Sequence, residues 1–194
     1  MIAQIRPVIV MITLFTLLTG FIFPLGFVAF GKLAFPYQAG GSLIEQNGKV
    51  VGSALIGQNF TSDKYFHGRP SALMGTDPKD SSKQVATPYD ASESGASNLA
   101  PASKALVDRV SGDVAKLGAK DVPGDAVTTS ASGLDPDISP ENAALQVARV
   151  AKARGLPVAR VQAVVAAQTQ GPALGFIGGA HVNVLALNLA LDAK

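Results

Sequence analysis

Apolar residues follow two regimes along this chain. An unbroken, uncharged run extends from Pro7 to Gly31, and after it short apolar groups alternate with polar, glycine-marked and proline-marked breaks. As a helix the run rises roughly 37 Å against a hydrocarbon core of about 30 Å, which predicts one membrane span, tilted or with its ends among the headgroups. Pro7 sits where a helix start tolerates it, whereas Pro24 lies late in the run and predicts a kink. A cleaved leader is the competing reading, because Arg6 precedes the run and Ala29-Phe30-Gly31 has the small-x-small form. A secretory apolar region extends only about 7 to 15 residues, so this run is too long for one. Arg6 on one flank and Lys32 and Lys49 on the other barely discriminate orientation. With so short a segment ahead of the span, the simplest topology threads the C-terminal part outward. The expected protein is single-pass in the cell inner (plasma) membrane, N-terminus cytoplasmic, with a periplasmic or extracytoplasmic C-terminal domain.

Beyond the span, Lys49 to Phe60 mixes Val, Leu and Ile with Gly48, Gly52 and Gly57, a pattern for a short strand pair or a strand entering a loop. Residues Ser71 to Pro101 are polar and rich in Ser, Asp, Gly and Pro, which predicts a long loop, docking or disordered. Pro101 then opens a predicted helix to about Leu117, capped near Asn98 or Ala100, with Leu106, Val110, Val114 and Leu117 on one face. A linker-like stretch with a predicted strand over Ala126 to Ala131 follows. Ser139-Pro140-Glu141 announces the next helix through a capping hydroxyl, a proline at the first helical position and a carboxylate at the positive dipole end. Its apolar face is read as Ala144, Val147, Ala148 and Ala151, with Gly155 as terminator. Pro157 begins another helix, with Val158, Val161, Val164 and Val165 on one side, running to about Gln170. A last short helix fits Val184 to Leu191. The fold class is α+β: an N-terminal transmembrane helix over residues 1–34, then a single mixed α/β extracytoplasmic domain over residues 35–194.

Composition changes this picture little. With Arg6 set aside, basic residues outnumber acidic ones by 15 to 14, so no electrostatic footprint for nucleic acid exists. Cysteine is absent, which removes disulfides, thiol catalysis and thiolate metal sites. The scarcity of aromatic residues implies a core of Ala, Val and Leu. His67 and His181 lie far apart and neither has a second ligand at metal spacing. No nucleophile elbow, S-x-x-K pair or phosphate-cradling glycine loop occurs. The two helices joined through Arg154-Gly155-Leu156-Pro157 also describe a helix-turn-helix, but the weak basic character argues for an ordinary helical hairpin.

The most concentrated chemistry is Tyr65-Phe66-His67-Gly68-Arg69-Pro70-Ser71, with two aromatics, an imidazole and a guanidinium within five positions. Either this is a loop packed by its own side chains, or Tyr65, Phe66, His67 and Arg69 anchor another protein, since aromatics and Arg dominate interface hot spots. Together with Gly52-Ser53-Ala54-Leu55-Ile56-Gly57-Gln58-Asn59-Phe60, Ser94-Gly95-Ala96-Ser97-Asn98-Leu99, Ser132-Gly133-Leu134-Asp135-Pro136, Ile138-Ser139-Pro140, Ala151-Lys152-Ala153-Arg154-Gly155-Leu156 and Val182-Asn183-Val184-Leu185-Ala186-Leu187-Asn188, this stretch resembles the C subunit of the Kdp high-affinity potassium-transporting ATPase. The resemblance covers essentially the whole chain. It departs from the family pattern at Ala96, where a second Gly is common, and at Gly179-Ala180-His181, where Glu-Pro-Arg is usual.

The resemblance implies a non-catalytic accessory subunit of the ATP-driven potassium uptake complex, needed for assembly and activity. It is described in the family as a catalytic chaperone that raises the ATP affinity of the ATP-hydrolysing subunit. Implied partners are a potassium-channel-like subunit, the ATP-hydrolysing P-type subunit and a small hydrophobic subunit, besides membrane lipid, with no nucleic acid. Ser97 and Asn98 join the partner-binding candidates on the same ground. ATP is the family-implied cofactor, and Gln58, at the end of Leu55-Ile56-Gly57-Gln58, resembles the glutamine of the ABC-transporter signature loop and is the weak candidate nucleotide contact. A glutamine satisfying backbone groups is the plainer reading of that residue. The alternatives from other classes are an independent membrane-anchored periplasmic enzyme and a membrane-tethered helix-turn-helix DNA-binding protein.

Overall fold

The computed structural model describes residues 2–193. It divides into two units, one ending at Val51 and one beginning at Gly52. In the first unit one apolar helix runs Ile5–Ala34, long and apolar enough to cross a membrane, with none of its central window buried by protein. It consists of α1 (Ile5–Leu17), a π-helical turn (Leu18–Ile22) and α2 (Phe23–Ala34). The wider turn lies immediately before Phe23-Pro24, where the Phe23 N–H reaches back to the Leu18 carbonyl. Thr19 satisfies its hydroxyl on the Phe15 carbonyl at 2.7 Å. A short α3 (Pro36–Ala39) and the paired strands β1 (Leu43–Gln46) and β2 (Lys49–Ser53) follow. Asn47 and Gly48, both at positive φ, make the turn between them.

The second unit contains the antiparallel hairpin of β3 (Met74–Asp77) and β4 (Asp80–Ala86) inside the stretch expected to be a long loop. Its strands alternate half-buried and exposed positions too weakly for the polar composition to announce them. Helix α4 (Lys104–Leu117) starts later than Pro101, because Ser103 caps it by accepting the Leu106 N–H. The predicted strand over Ala126–Ala131 is instead a helical turn, α5 (Gly124–Val127), that buries Val127.

Strand β5 (Asp137–Ile138) leads into α6 (Pro140–Arg154), capped by Ser139 and closed by Gly155 at φ +65 as expected. The buried face of α6 is Ala143, Val147, Val150 and Ala151, while Ala144 and Ala148 are exposed. The valines decide the rotation, since alanine buries little area wherever it stands. Helix α7 (Val158–Gln168) buries Val161, Val164 and Val165 and leaves Val158 outside. It ends two residues early because Thr169–Gln170 form β6. Strand β7 (His181–Asn183) lies between β5 and β6 in an antiparallel sheet of order β5-β7-β6, and runs directly into α8 (Val184–Asp192). The core packs that small sheet against α6, α7 and α8, mostly through valine and leucine, with Phe66 the largest fully buried side chain. The α6–α7 pair is a hairpin whose inner faces are part of this core.

Candidate functional site

Residues Tyr65 to Pro70 form a strap with little regular structure of its own, so its backbone groups need partners from elsewhere. Two helical amides supply them. Asn188, 1% exposed on α8, accepts the Phe66 N–H at 2.8 Å and donates to the Phe66 carbonyl at 3.0 Å. Gln146 on α6 does the same for His67, accepting its N–H at 2.8 Å and donating to its carbonyl at 3.1 Å. Each amide takes the place of a neighbouring strand, and the pairing fixes which end of each amide is oxygen.

The Gln146 amide belongs to a longer polar chain. It also donates to Asn142 Oδ1 at 3.0 Å, and Asn142 in turn donates to Asp125 at 3.0 Å. Asp125 further accepts the Ser139 N–H and hydroxyl, both at 2.8 Å. Burial would push its carboxyl upward, but the hydrogen bonds from Ser139 and Asn142 outweigh that and hold it below the usual range. At the other end Arg149 donates to Gln146 Oε1 at 2.8 Å and to the Asp63 carbonyl at 2.7 Å. His67 Nε2 lies 3.2 Å from the Ser62 carbonyl and 3.5 Å from the Arg149 guanidinium, an acceptor and a donor facing one nitrogen, so the ring tautomer decides which of the two it bonds. Burial first, and then the Arg149 charge, keep the imidazole below its ordinary pKa.

Tyr65 lies at the strap's other edge. Its hydroxyl donates to Asp192 at 3.1 Å, its ring stacks obliquely on Phe60 with centroids 5.3 Å apart, and the Arg154 guanidinium lies 5.1 Å over it. Arg154 ties the strap to the end of α8, donating to the carbonyls of Lys64 and Leu191 and to Asp192. Arg69 pairs with Asp135 at 2.8 Å, both groups about a quarter exposed. Phe66, by contrast, is 0% exposed, so its ring belongs to the core. Gln58 is half-buried, with its amide over the α-carbon of Gly52 beside Leu185. Ser97 is half-buried and Asn98 exposed at φ +52, in the loop after Gly95, whose N–H reaches the Ser132 carbonyl.

Sequence reasoning missed Tyr89. Its ring occupies the space where a side chain would stand on Gly57 and on Gly68, and its hydroxyl donates to the Arg69 carbonyl at 2.7 Å. Burial, reinforced by the Asp135 charge, pushes its pKa up to about 12. The only signal was two glycines in apolar-aromatic surroundings, each asking for close approach of another group.

Clefts of about 400 Å³ and 390 Å³ flank the strap. The first is lined by His67, Pro70, Leu117, Gln146 and Arg149, the second by Phe60, Arg69 and Tyr89. Among the described residues no group of His, Asp or Glu could hold a metal ion. The Ser139 hydroxyl, the one serine hydrogen-bonded to the Asp125 carboxylate, serves as a helix cap. The arrangement is that of a rigid surface with recesses.

The chain matches the family model described as K+-transporting ATPase, c chain, over residues 5–193. It is 58% identical over 196 residues to the potassium-transporting ATPase KdpC subunit of Bradyrhizobium diazoefficiens, covering 99% of this chain and 98% of that protein. The subunit of the same name from Rhodopseudomonas palustris strain BisB18 is 59% identical over 197 residues, covering 100% and 99%. That from Methylobacterium nodulans is 57% identical over 196 residues, covering 99% and 98%.

Proposed function

Since this chain belongs to the KdpC family, the accessory C chain of the K+-transporting ATPase, we propose that its strap is a docking surface for the other subunits of the complex. The protein is an accessory subunit of potassium uptake, and the ATPase catalysis of the complex lies in another subunit. In this reading residues 5–34 anchor the chain with its C-terminal domain outside. That domain caps and stabilises the complex through contacts with the potassium-channel-like, ATP-hydrolysing and small hydrophobic subunits.

One observation carries the proposal: the strap is held rigid by amides from two helices, with recesses on both sides. A preorganised surface loses little conformational entropy on binding, so a few side chains suffice for tight association. His67 and Arg69 border those recesses and Tyr65 stands at the strap's edge, whereas Phe66 is buried in the core. An outward domain does not meet cytoplasmic ATP, so any effect on nucleotide affinity passes through packed membrane helices that bias a two-state pump. The packing of Gln58 against Gly52 and Leu185 supports the structural role for that amide.

The test is retention of this subunit in the detergent-purified complex. Tyr65→Ala and His67→Ala should lower its stoichiometry and the potassium-stimulated ATP hydrolysis while leaving its own melting temperature within a few degrees. Unchanged stoichiometry with both variants would leave the strap a structural element only.

A further inference from the structure

Ten residues from Gly171 to Ala180 carry no charged side chain. Within them Leu174 is 83% exposed, Phe176 77% and Ile177 53%, the first two being the most exposed large apolar side chains among the described residues of the second unit. Soluble surfaces seldom present three large apolar side chains side by side without a use. The segment is a closed turn. Ala173 and Ile177 exchange both backbone hydrogen bonds at 2.9 Å, the Gly175 N–H donates to the Pro172 carbonyl at 3.0 Å, and the Phe176 N–H donates to the Ala173 carbonyl at 3.3 Å. Leu174 is held at φ +54, a conformation uncommon for a branched side chain, and Gly175 and Gly178 follow it at φ +82 and +83.

We infer that this turn inserts Leu174, Phe176 and Ile177 into the surface of the bilayer, at the boundary between headgroups and acyl chains. Three features select lipid over a protein surface. The turn is apolar and its ten residues carry no charge, where a protein interface would carry a polar border. The N–H groups of Ala173, Gly175, Phe176 and Ile177 are already bonded within the turn, which lowers the cost of taking irregular backbone out of water. The chain also carries a candidate membrane span at Ile5–Ala34, joined to the second unit by residues 35–51. Tethering of this kind turns insertion into an intramolecular step at high effective concentration, so a weak intrinsic preference becomes appreciable occupancy. The inference rests on the reading that residues 5–34 anchor the chain.

The absence of native cysteine allows single-site labelling. Full-length chain carrying Phe176→Cys, Leu174→Cys, Ser111→Cys or Ile12→Cys would be labelled with an environment-sensitive fluorophore and reconstituted into phosphatidylcholine vesicles. Part of the lipid would carry a nitroxide near the top of the acyl chain. Labels at 176 and 174 should be quenched at least about twofold more than the label at Ser111, which is exposed on α4. Quenching at 176 and 174 no greater than at 111 would overturn the inference, and so would shielding that appears only when the other subunits are added and that lipid nitroxides do not quench. The label at Ile12 reports the anchor separately: if it is unquenched the anchor reading fails, whereas quenching at 12 without quenching at 174 and 176 refutes the turn alone. Unchanged circular dichroism across the four variants keeps misfolding out of the comparison.

Discussion

Phe66→Ala separates the two roles the strap could have. The ring is fully buried against the valine and leucine core, and the backbone on which it stands is fixed by Asn188, so neighbouring atoms have little freedom to fill the space it leaves. Truncating a buried Phe under such conditions costs about 3–5 kcal/mol. A unit of this size has a stability of roughly 7–20 kcal/mol, so the loss is a large fraction of the whole. Each kcal/mol moves the melting temperature by about 2–4 °C at this length, which gives an expected fall of roughly 6–20 °C. Phe66→Leu, which keeps most of the apolar volume, should fall between wild type and Phe66→Ala. The assay is thermal unfolding of the full-length chain in detergent, followed by far-ultraviolet circular dichroism, beside retention of the same variants in the complex. The reasoning is refuted if Phe66→Ala melts with the wild type and is nevertheless lost from the complex, because the ring would then act on a partner.

Tyr89 gives a pH signature. Its pKa is raised from 10.0 in the unfolded chain to about 12 in the fold, so the folded state keeps a proton that the unfolded state has released. Its contribution is complete below pH 10 and is lost as pH rises towards 12. Denaturation midpoints should therefore fall across that window, and Tyr89→Phe should make the fall shallower while costing about 1 kcal/mol at neutral pH for the lost bond to the Arg69 carbonyl. Topology is tested by Ser111→Cys in cells with a permeabilised outer layer, where a membrane-impermeant thiol reagent should label without lysis; labelling only after lysis would place the domain inside. Gly133, a loop position by sequence, is unsuitable for such a probe because it is buried at φ +72 against Leu73.

Elements whose signals are local were legible. The apolar run, the Ser139-Pro140 start, the Gly155 stop and the final helix each depend on a few adjacent residues, and each lies where the sequence placed it, within three residues. The β3–β4 hairpin was not legible, since Met74–Asp77 and Asp80–Ala86 are stabilised by pairing with each other and carry no apolar alternation to betray it. Rotation of α6 was misjudged by one position because alanines on both faces look alike until Val150 is weighed. At the candidate site the cluster itself was visible, but Phe66 and Tyr65 differ in role only through partners more than 100 positions away, Asn188 and Asp192. Nothing within the window of a sequence motif distinguishes a ring turned into a core from one at a surface.

The order in which those partners leave the ribosome matters for biogenesis. Strand β7 is the middle of the three-stranded sheet and α8 supplies both Asn188 and much of the core, yet in chain order they follow every other described element. The apolar helix at the other end emerges first. At about 5–20 residues per second, the start of the second unit waits about 6–26 seconds before its central strand exists, and α6 and α7 wait about 1–8 seconds. Throughout that interval the valines of α6 and α7 lack the surface they eventually cover, and the strap has no amide from α8 to hold it. A chain that ends before position 181 therefore lacks both the central strand of its sheet and the helix that covers those valines, and cannot complete the core.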